Sequence, residues 1–465
     1  MSAPIKFGTD GWRAVIADDF TFDNVRRVAA ATADVFAEAD PGGLVLVGYD
    51  TRFRAGAFAA AAAEVMAARG LKVRLSDRML PTPALSWATD RSDAVGAVML
   101  TASHNPAEYL GFKIKTSDGG SAPPSITSKV EAAIPDEVPR GAGDYEVADI
   151  VTPYLAGLAD FVDGDLIRAA AHRVAVDPLY GAGQGYLAQV LRQLGAQVEE
   201  IHSEPNPGFG GLHPEPIPPH IDEASVFVRE KGLDAGFCTD GDADRIGAID
   251  ESGAFVNPHR IFSLVILHLV EDRGMTGAVV KTLSTSVLVD RVCRHLGLEL
   301  RVTPIGFKHI YEHMVEGGVL IGGEESGGIG IPEHVRERDG LAMALLLAEM
   351  MAQRGRTLGQ LVEDLFEITG RREYRRLDLS LPQQTKDAFV AGIPATEVEQ
   401  IAGMAVEGVV REDGLKLLLP DDAWLLMRPS GTEPLIRVYA EAETMEQVES
   451  LLEAGREFVL SAGER

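Results

Sequence analysis

The chain has 465 residues, 46% hydrophobic and 24% charged, a net charge of −27 and two cysteines. This is the composition of an ordinary soluble globular protein, and at roughly 100–200 residues per domain the length predicts three or four domains. So acidic a surface argues against nucleic acid or an anionic membrane as a partner. It leaves room for a small phosphorylated ligand, since screening over about 8 Å lets a few local cations dominate a cleft.

Cys238 and Cys293 are too few for a disulfide framework and lack metal-site spacing. Met1 to Lys6 carry no apolar signal region, and no apolar span is long enough to cross a membrane, so a cytoplasmic protein is expected.

In chain order, Leu44–Gly48 reads as a strand, Ala55–Arg69 as an alanine-rich helix and Leu71–Ser76 as a second strand. Ala94–Leu100, short and apolar between polar residues, reads as a buried strand. Directly after it comes Thr101-Ala102-Ser103-His104-Asn105-Pro106. Ser103 therefore sits at a strand's C-terminal end, where open α/β sheets keep their ligand sites, and Pro106 keeps the loop from continuing as a central strand or a helix interior. Lys113 follows in Gly111-Phe112-Lys113-Ile114-Lys115. Hydroxyl, imidazole and amine so close together suit a nucleophile or a phosphate carrier; a turn or N-cap serine is the alternative.

The pattern repeats in Arg173–Asp177, Gly183–Leu194 and Gln197–Ile201. The run Gly181-Ala182-Gly183-Gln184-Gly185 hints at dinucleotide binding, with Glu199 or Glu200 at a suggestive distance. Tyr186 stands where the last glycine is expected, however, so a tight strand-to-helix turn is preferred. The Pro/Gly-rich stretch from Pro205 to Pro219 reads as a semi-rigid loop.

Between strand-like Leu233–Cys238 and Ile246–Asp250 lies Thr239-Asp240-Gly241-Asp242-Ala243-Asp244-Arg245. Its alternate carboxylates can converge on one point, where they repel unless a cation sits among them, and oxygen-only ligands suit Mg²⁺ or Ca²⁺. An EF-hand loop fits poorly, since Arg245 occupies the sixth position, where glycine is needed, and the flanks read as strands. A solvated acidic turn is the plain alternative.

A third unit runs through Gly277–Lys281, Ser286–Leu296 and Glu299–Thr303. After apolar Gly317–Ile321 comes Gly322-Gly323-Glu324-Glu325-Ser326-Gly327-Gly328. If that segment is extended, Glu324 and Ser326 share a side and could hydrogen-bond sugar hydroxyls. Beyond about Gly370 the strand-like Glu373–Leu379, Met404–Val409, Leu415–Leu419, Ala423–Met427 and Ile436–Ala440 are closely spaced, and a helix over Met445–Leu460 closes the chain. Short connections suit antiparallel pairing, hence an α+β unit after three α/β units. Arg428-Pro429-Ser430-Gly431-Thr432-Glu433-Pro434 follows one of these strands; an arginine, two hydroxyls and exposed N–H groups can cradle a phosphate, or the segment is a simple turn. Domains are expected over 1–147 with the Ser103 loop, 148–255 with the aspartate loop, 256–370 with the Glu324 loop and 371–465 with the Arg428 loop.

These four motifs, in this order and with Gly8-Thr9-Asp10-Gly11-Trp12-Arg13 ahead of them, resemble the α-D-phosphohexomutases, most closely the phosphoglucomutases, over nearly the whole chain. The resemblance implies four domains around a central cleft, three α/β and one α+β. It implies that Ser103 is a phosphoserine that gives and recovers a phosphoryl group, with Asp240, Asp242 and Asp244 as Mg²⁺ ligands beside it. Glu324 and Ser326 would grip the sugar hydroxyls; Arg428, Ser430, Gly431 and Thr432 would hold the phosphate that is not reacting. Arg13, His104, Lys113, Arg245 and Lys308 would line the cleft and handle charge and protons. For Lys113 two roles stand side by side, general acid/base if neighbouring cations lower its pKa, or electrostatic stabilisation.

The implied reaction interconverts glucose 1-phosphate and glucose 6-phosphate through glucose 1,6-bisphosphate. Glu325, and Gly328 where the phosphomannomutase and phosphoglucosamine mutase branches place a histidine, favour glucose, as does Glu333-His334-Val335-Arg336-Glu337-Arg338-Asp339-Gly340. Mannose or glucosamine phosphate is the alternative, followed by a phosphoserine-dependent phosphatase or a sugar-phosphate-binding paralogue.

Overall fold

The computed structural model describes residues 5–8, 10–139, 141–430 and 435–462. Among them the strands form four main sheets and a two-stranded ribbon. The first sheet holds β1 (Trp12–Val15), β2 (Leu44–Tyr49), β3 (Lys72–Ser76), β4 (Ala94–Leu100), β5 (Tyr109–Thr116) and β6 (Glu146–Ala148), in the order β1-β5-β4-β2-β3-β6. Its centre is parallel, β4-β2-β3, while β5 runs antiparallel to both β4 and β1. Ala94–Leu100 is the predicted strand, six of its seven residues buried. Such a run stays apolar throughout because helices cover both faces.

The second sheet comprises β7 (Arg173–Asp177), β8 (Gln197–Glu200), β9 (Ala235–Thr239), β10 (Ile246–Asp250) and β11 (Phe255–Val256), ordered β11-β10-β9-β7-β8. The third has β12 (Ala278–Thr282), β13 (Leu300–Thr303), β14 (Val319–Gly323) and β15 (Ile329–Gly330), ordered β13-β12-β14-β15. In both, the strands joined by helices are parallel and the hairpin-linked ones antiparallel, as connection length dictates. The last region contains β16 (Glu373–Ser380), the ribbon β17 (Gln400–Ile401) and β18 (Met404–Ala405), then β19 (Gly408–Val410), β20 (Leu415–Leu418), β21 (Trp424–Pro429) and β22 (Leu435–Ala442). Its five-stranded sheet, β16-β22-β21-β20-β19, is antiparallel throughout. The expected single strand Met404–Val409 is two short strands in different sheets. The direction change falls at Val406 and Glu407, where the Val406 amide bonds back to the Glu399 carbonyl and the Glu407 amide turns to Leu418.

The first three regions share a core. One apolar cluster runs from Leu46, Leu85 and Met99 through Tyr154, Val176 and Phe237 to Leu345 and Phe366. The helix Gly340–Arg354 lies within it, buried continuously from Gly340 to Met351, which is why its sequence is apolar on every side. The last region has its own core and meets the third through Trp424, Leu426 and Tyr439 against Val287 and Ile305. The loops that carry Ser103, the three aspartates, Glu324 and Arg428 leave the C-terminal ends of β4, β9, β14 and β21, and the cleft forms where those ends face one another.

Candidate active site

The loop after β4 is tight: Ser103 N–H donates to Thr101 Oγ1 (3.0 Å) and Asn105 N–H to the Ala102 carbonyl (3.0 Å). Ser103 is 1% exposed and has φ +52°, a left-handed conformation that costs a β-carbon-bearing residue roughly 1–2 kcal/mol. Its hydroxyl donates to Asp240 Oδ2 at 2.9 Å and lies 3.4 Å from His104 Nδ1. Burial, then the cations Arg245, Arg13, Arg376 and Arg437, hold His104 well below the ordinary imidazole range, so its ring is neutral. Arg13 donates to Asn105 Oδ1 (2.6 Å).

The aspartate loop turns between β9 and β10, which pair from Thr239 opposite Ile246. Gly241 is required there: a β-carbon would lie 2.4 Å from the Ser103 carbonyl oxygen. The Gly181–Gly185 run is a turn packed on this loop, Ala182 N–H donating to the Gly241 carbonyl at 2.9 Å. Asp240, Asp242 and Asp244 are fully buried, and each offers an oxygen within 4.8 Å of the others. Asp242 Oδ1 and Asp244 Oδ1 are buried without a hydrogen-bond partner among the described residues. Orphaned carboxylate oxygens facing one point are what an oxygen-ligated divalent cation requires. Burial, reinforced by Asp244 and Asp242, pushes Asp240 well above the usual carboxylate range. Asp242 is held low: burial opposes this, but the Lys113 ammonium and the Thr82 hydroxyl (2.6 Å) outweigh it.

Lys113, on β5, is 1% exposed. Its Nζ lies 2.8 Å from Asp10, 2.9 Å from Asp242 and 3.4 Å from Asp244. Of the two roles open to Lys113, general acid/base work needs neighbouring cations to lower its pKa; burial alone would lower it, but these carboxylates hold it above the ordinary lysine range. Gly11 (φ +96°) lets the Asp10 turn reach Lys113, since a β-carbon there would lie 2.8 Å from the Phe112 carbonyl.

The Glu324 loop is not extended. Glu324 N–H donates to the Gly328 carbonyl (3.0 Å) and Gly327 N–H returns to Glu324 (3.3 Å), so residues 324–328 form a turn and the alternation argument for Glu324 and Ser326 fails. The glycines at 327 and 328 favour chain reversal over strand continuation. Glu324 is buried, 3.7 Å from Arg338; burial pushes its pKa up to about 7, Arg338 opposing and Glu325 adding. Ser326 is half-buried on the same turn. The Glu324 turn meets the aspartate loop directly, Arg245 bridging to Gly328.

Arg428 lies on β21, with Asp413 2.9 Å from its Nε. Asp413 also accepts from the Ile305 amide (2.9 Å), which brings the Arg428 loop beside Gly306-Phe307-Lys308. Lys308 is half-buried near the start of the helix Phe307–Glu316. Ser430 is buried, its amide donating to the Leu435 carbonyl at 3.0 Å and its carbonyl accepting from Lys386 at 2.5 Å. Gly431 and Thr432 lie outside the described residues.

Several groups at the site have no motif of their own. Arg338 Nη2 lies 2.8 Å from both Asp10 and Asp244. Glu337 binds Arg338 and Lys115. Glu215, from the Pro-rich loop, sits 3.4 Å from Arg245 and 3.8 Å from Arg376 on β16. In the sequence the acidic and basic residues of 333–340 stand out only as a family pattern, and Glu215 is hidden in a segment that reads as a loop.

The chain matches models of the four domains named phosphoglucomutase/phosphomannomutase, alpha/beta/alpha domains I, II and III and C-terminal domain, over residues 4–140, 152–253, 257–368 and 386–457. It is 31% identical to a phosphoglucomutase/phosphomannomutase of Thermococcus kodakarensis, covering 97% of each chain. The chain belongs to the α-D-phosphohexomutase family. It is an isomerase of the phosphohexomutase type. A phosphoglucomutase of Komagataeibacter xylinus is 30% identical to this mutase over 94% of its chain and 87% of the relative. A crystal structure of a candidate phosphomannomutase from Thermus thermophilus superposes with a TM-score of 0.90 at 39% identity, covering 99% of this chain and 100% of that one. Among the described residues no helix is long and apolar enough to cross a membrane.

Proposed function

We propose that this mutase interconverts glucose 1-phosphate and glucose 6-phosphate through a phosphoserine at residue 103 and a bisphosphorylated sugar. The observation that supports it is the Ser103 hydroxyl, held in a left-handed turn 2.9 Å from one of three converging aspartates. Glucose is favoured by Glu325 and by Gly328, which leaves no histidine on the sugar loop.

Asp240, Asp242, Asp244 and phosphorylated Ser103 would hold Mg²⁺, which when bound polarises the phosphoryl group. In the first half-reaction the O–P bond at Ser103 Oγ breaks and one forms to the sugar oxygen; the bisphosphate reorients and its other phosphate returns to Ser103. Each transfer moves a proton off the attacking hydroxyl and restores one to the leaving oxygen. Neutral His104, 3.4 Å from Oγ, can relay it, taking a proton at one ring nitrogen as it gives one from the other; the proton the sugar hydroxyl loses in the first transfer is the one Ser103 Oγ gains, and the second transfer returns it. Lys113 stays an ammonium and acts by charge, the electrostatic alternative of the two. Arg428 and Ser430, with Gly431 and Thr432 of the same loop by family resemblance, grip the idle phosphate; Glu324 and Ser326 grip the sugar. Arg13, Arg245 and Lys308 supply further positive charge.

The deciding experiment incubates the protein with glucose 1-phosphate, Mg²⁺ and a trace of glucose 1,6-bisphosphate. Glucose 6-phosphate should accumulate. Its absence, with turnover of mannose 1-phosphate or glucosamine 1-phosphate, overturns the glucose assignment; release of inorganic phosphate in its place indicates a phosphatase.

Glu324 makes the acid limb of the pH profile diagnostic. A carboxylate that titrates at about 7 loses its acceptor function as pH falls through that value, so kcat/KM should drop on the acid side with an apparent pKa near it. In Glu324→Gln that limb should vanish, leaving only the phosphate ionisation at about 6 on a lower plateau. An unchanged limb in the variant removes Glu324 from the sugar grip.

A further inference from the structure

Arg52 has no part in the chemistry above, yet its side chain is fully buried directly beneath the serine loop. All five of its guanidinium N–H groups are spent. Nε donates to Asp50 Oδ2 (3.1 Å), Nη1 to the carbonyls of Pro106 (2.7 Å) and Tyr109 (3.0 Å), and Nη2 to those of Ser103 and Asn105 (both 2.6 Å). Three of the five acceptors are backbone oxygens of the loop that carries Ser103 and a fourth is that of Tyr109, where β5 begins, so one rigid planar fork sets the path of that loop.

The Ser103 carbonyl is pinned from the other side as well. The α-carbon face of Gly241 abuts it so closely that a β-carbon would come within 2.4 Å of the oxygen, and the Gly241 amide is anchored to the Pro214 carbonyl at 3.1 Å. The same Pro-rich loop lays the buried Phe209 ring over the guanidinium, 4.8 Å from its centre. The loop that composition marks only as semi-rigid thus holds both the aspartate turn and the brace under the serine.

We propose that Arg52, clamped by Phe209, is a positioning residue that holds the Ser103 carbonyl and thereby aims the serine oxygen at the aspartate cluster. The inference rests on the phosphoserine reading of Ser103. It follows that geometry, not charge, is what Arg52 supplies: lysine keeps the charge but offers three donors from one atom and cannot span four carbonyls and a carboxylate.

The test compares wild type, Arg52→Lys and Phe209→Leu, measuring kcat and KM for glucose 1-phosphate, transfer of labelled phosphate from glucose 1,6-bisphosphate to the protein, and Tm. Wild-type labelling at Ser103 establishes the underlying reading independently; if wild type takes no label, that reading fails whatever the variants do. With it standing, Arg52→Lys should lower kcat and the labelling rate together by roughly 10²-fold, the scale of an ångström-level misplacement. KM should stay within about threefold, because the sugar and phosphate grips lie on other loops. Phe209→Leu should reproduce the split in milder form, and decides the matter if the lysine variant does not fold. Wild-type kcat in either folded variant, or a rise in KM that accounts for the lost kcat/KM, overturns the proposal.

Discussion

Replacing Ser103 with alanine should abolish turnover, a loss on the order of 10⁴-fold or more, because among the described residues no other hydroxyl occupies the position from which, on the proposed function, a phosphoryl group is given and recovered. Stability should move little. Alanine is strained at φ +52° much as serine is, and the loss is a single hydrogen bond to Asp240, worth about 1 kcal/mol. Glycine is the residue the backbone prefers here. Ser103→Gly should therefore be as dead as the alanine variant and unfold no earlier than it. Steady-state kinetics, labelling from bisphosphate and thermal unfolding check all three statements. Retained mutase activity in Ser103→Ala would sink the phosphoserine mechanism, while retained labelling would place the phosphate on another residue.

Asp240→Asn should separate the electrostatic demand of the aspartate loop from its architecture. Without a cation, the Asp240 carboxylate is buried against Asp244 and Asp242 and its pKa lies well above the usual range. The folded state then binds a proton more tightly than the unfolded state. That contribution to stability is complete below the ordinary carboxylate pKa and is lost as pH rises through the folded value. At neutral pH the metal-free wild type carries this penalty and the asparagine variant does not, so the variant should have the higher Tm without Mg²⁺. Adding Mg²⁺ should reverse the order: binding to the native state alone stabilises wild type by about 2.7 kcal/mol at a hundred times Kd, and the variant gains far less. Turnover should fall by roughly 10²–10³-fold, the several kcal/mol a cation contributes at a phosphoryl group. An equal Mg²⁺-dependent rise in Tm for both proteins would remove Asp240 from the cation site.

What the amino-acid order reveals about this site follows from how local each feature is. Ala94–Leu100 is legible because a buried parallel strand must be apolar along its length, and the loop after it is marked by proline. The aspartate loop is legible because its three carboxylates alternate within five residues. Arg52 is not, since four of its five acceptors are carbonyl oxygens 51 to 57 positions away, and a carbonyl has no letter in the sequence. Arg338 meets Asp10 across 328 positions, so neither signals the other. The surroundings of Lys113 are hidden for the same reason: Asp10, Asp242 and Asp244, which the fold sets around it, are all distant from it in the sequence. The Glu324 turn misleads because alternation presumes an extended chain, which its glycines break.

Glu215 stands between Arg245 and Arg376, and Asp378 lies 3.0 Å from Arg376 Nε and 3.8 Å from Arg437 Nε. The cleft thus brings its own counter-ions. On the proposed function, a sugar phosphate drawn to these arginines would exchange places with tethered carboxylates, with fewer ions released to bulk solvent than when a phosphate meets bare arginines. Ligand affinity there would then depend only weakly on ionic strength, and a protein of net charge −27 could keep a cluster of arginines without collecting whatever anion is most abundant around it.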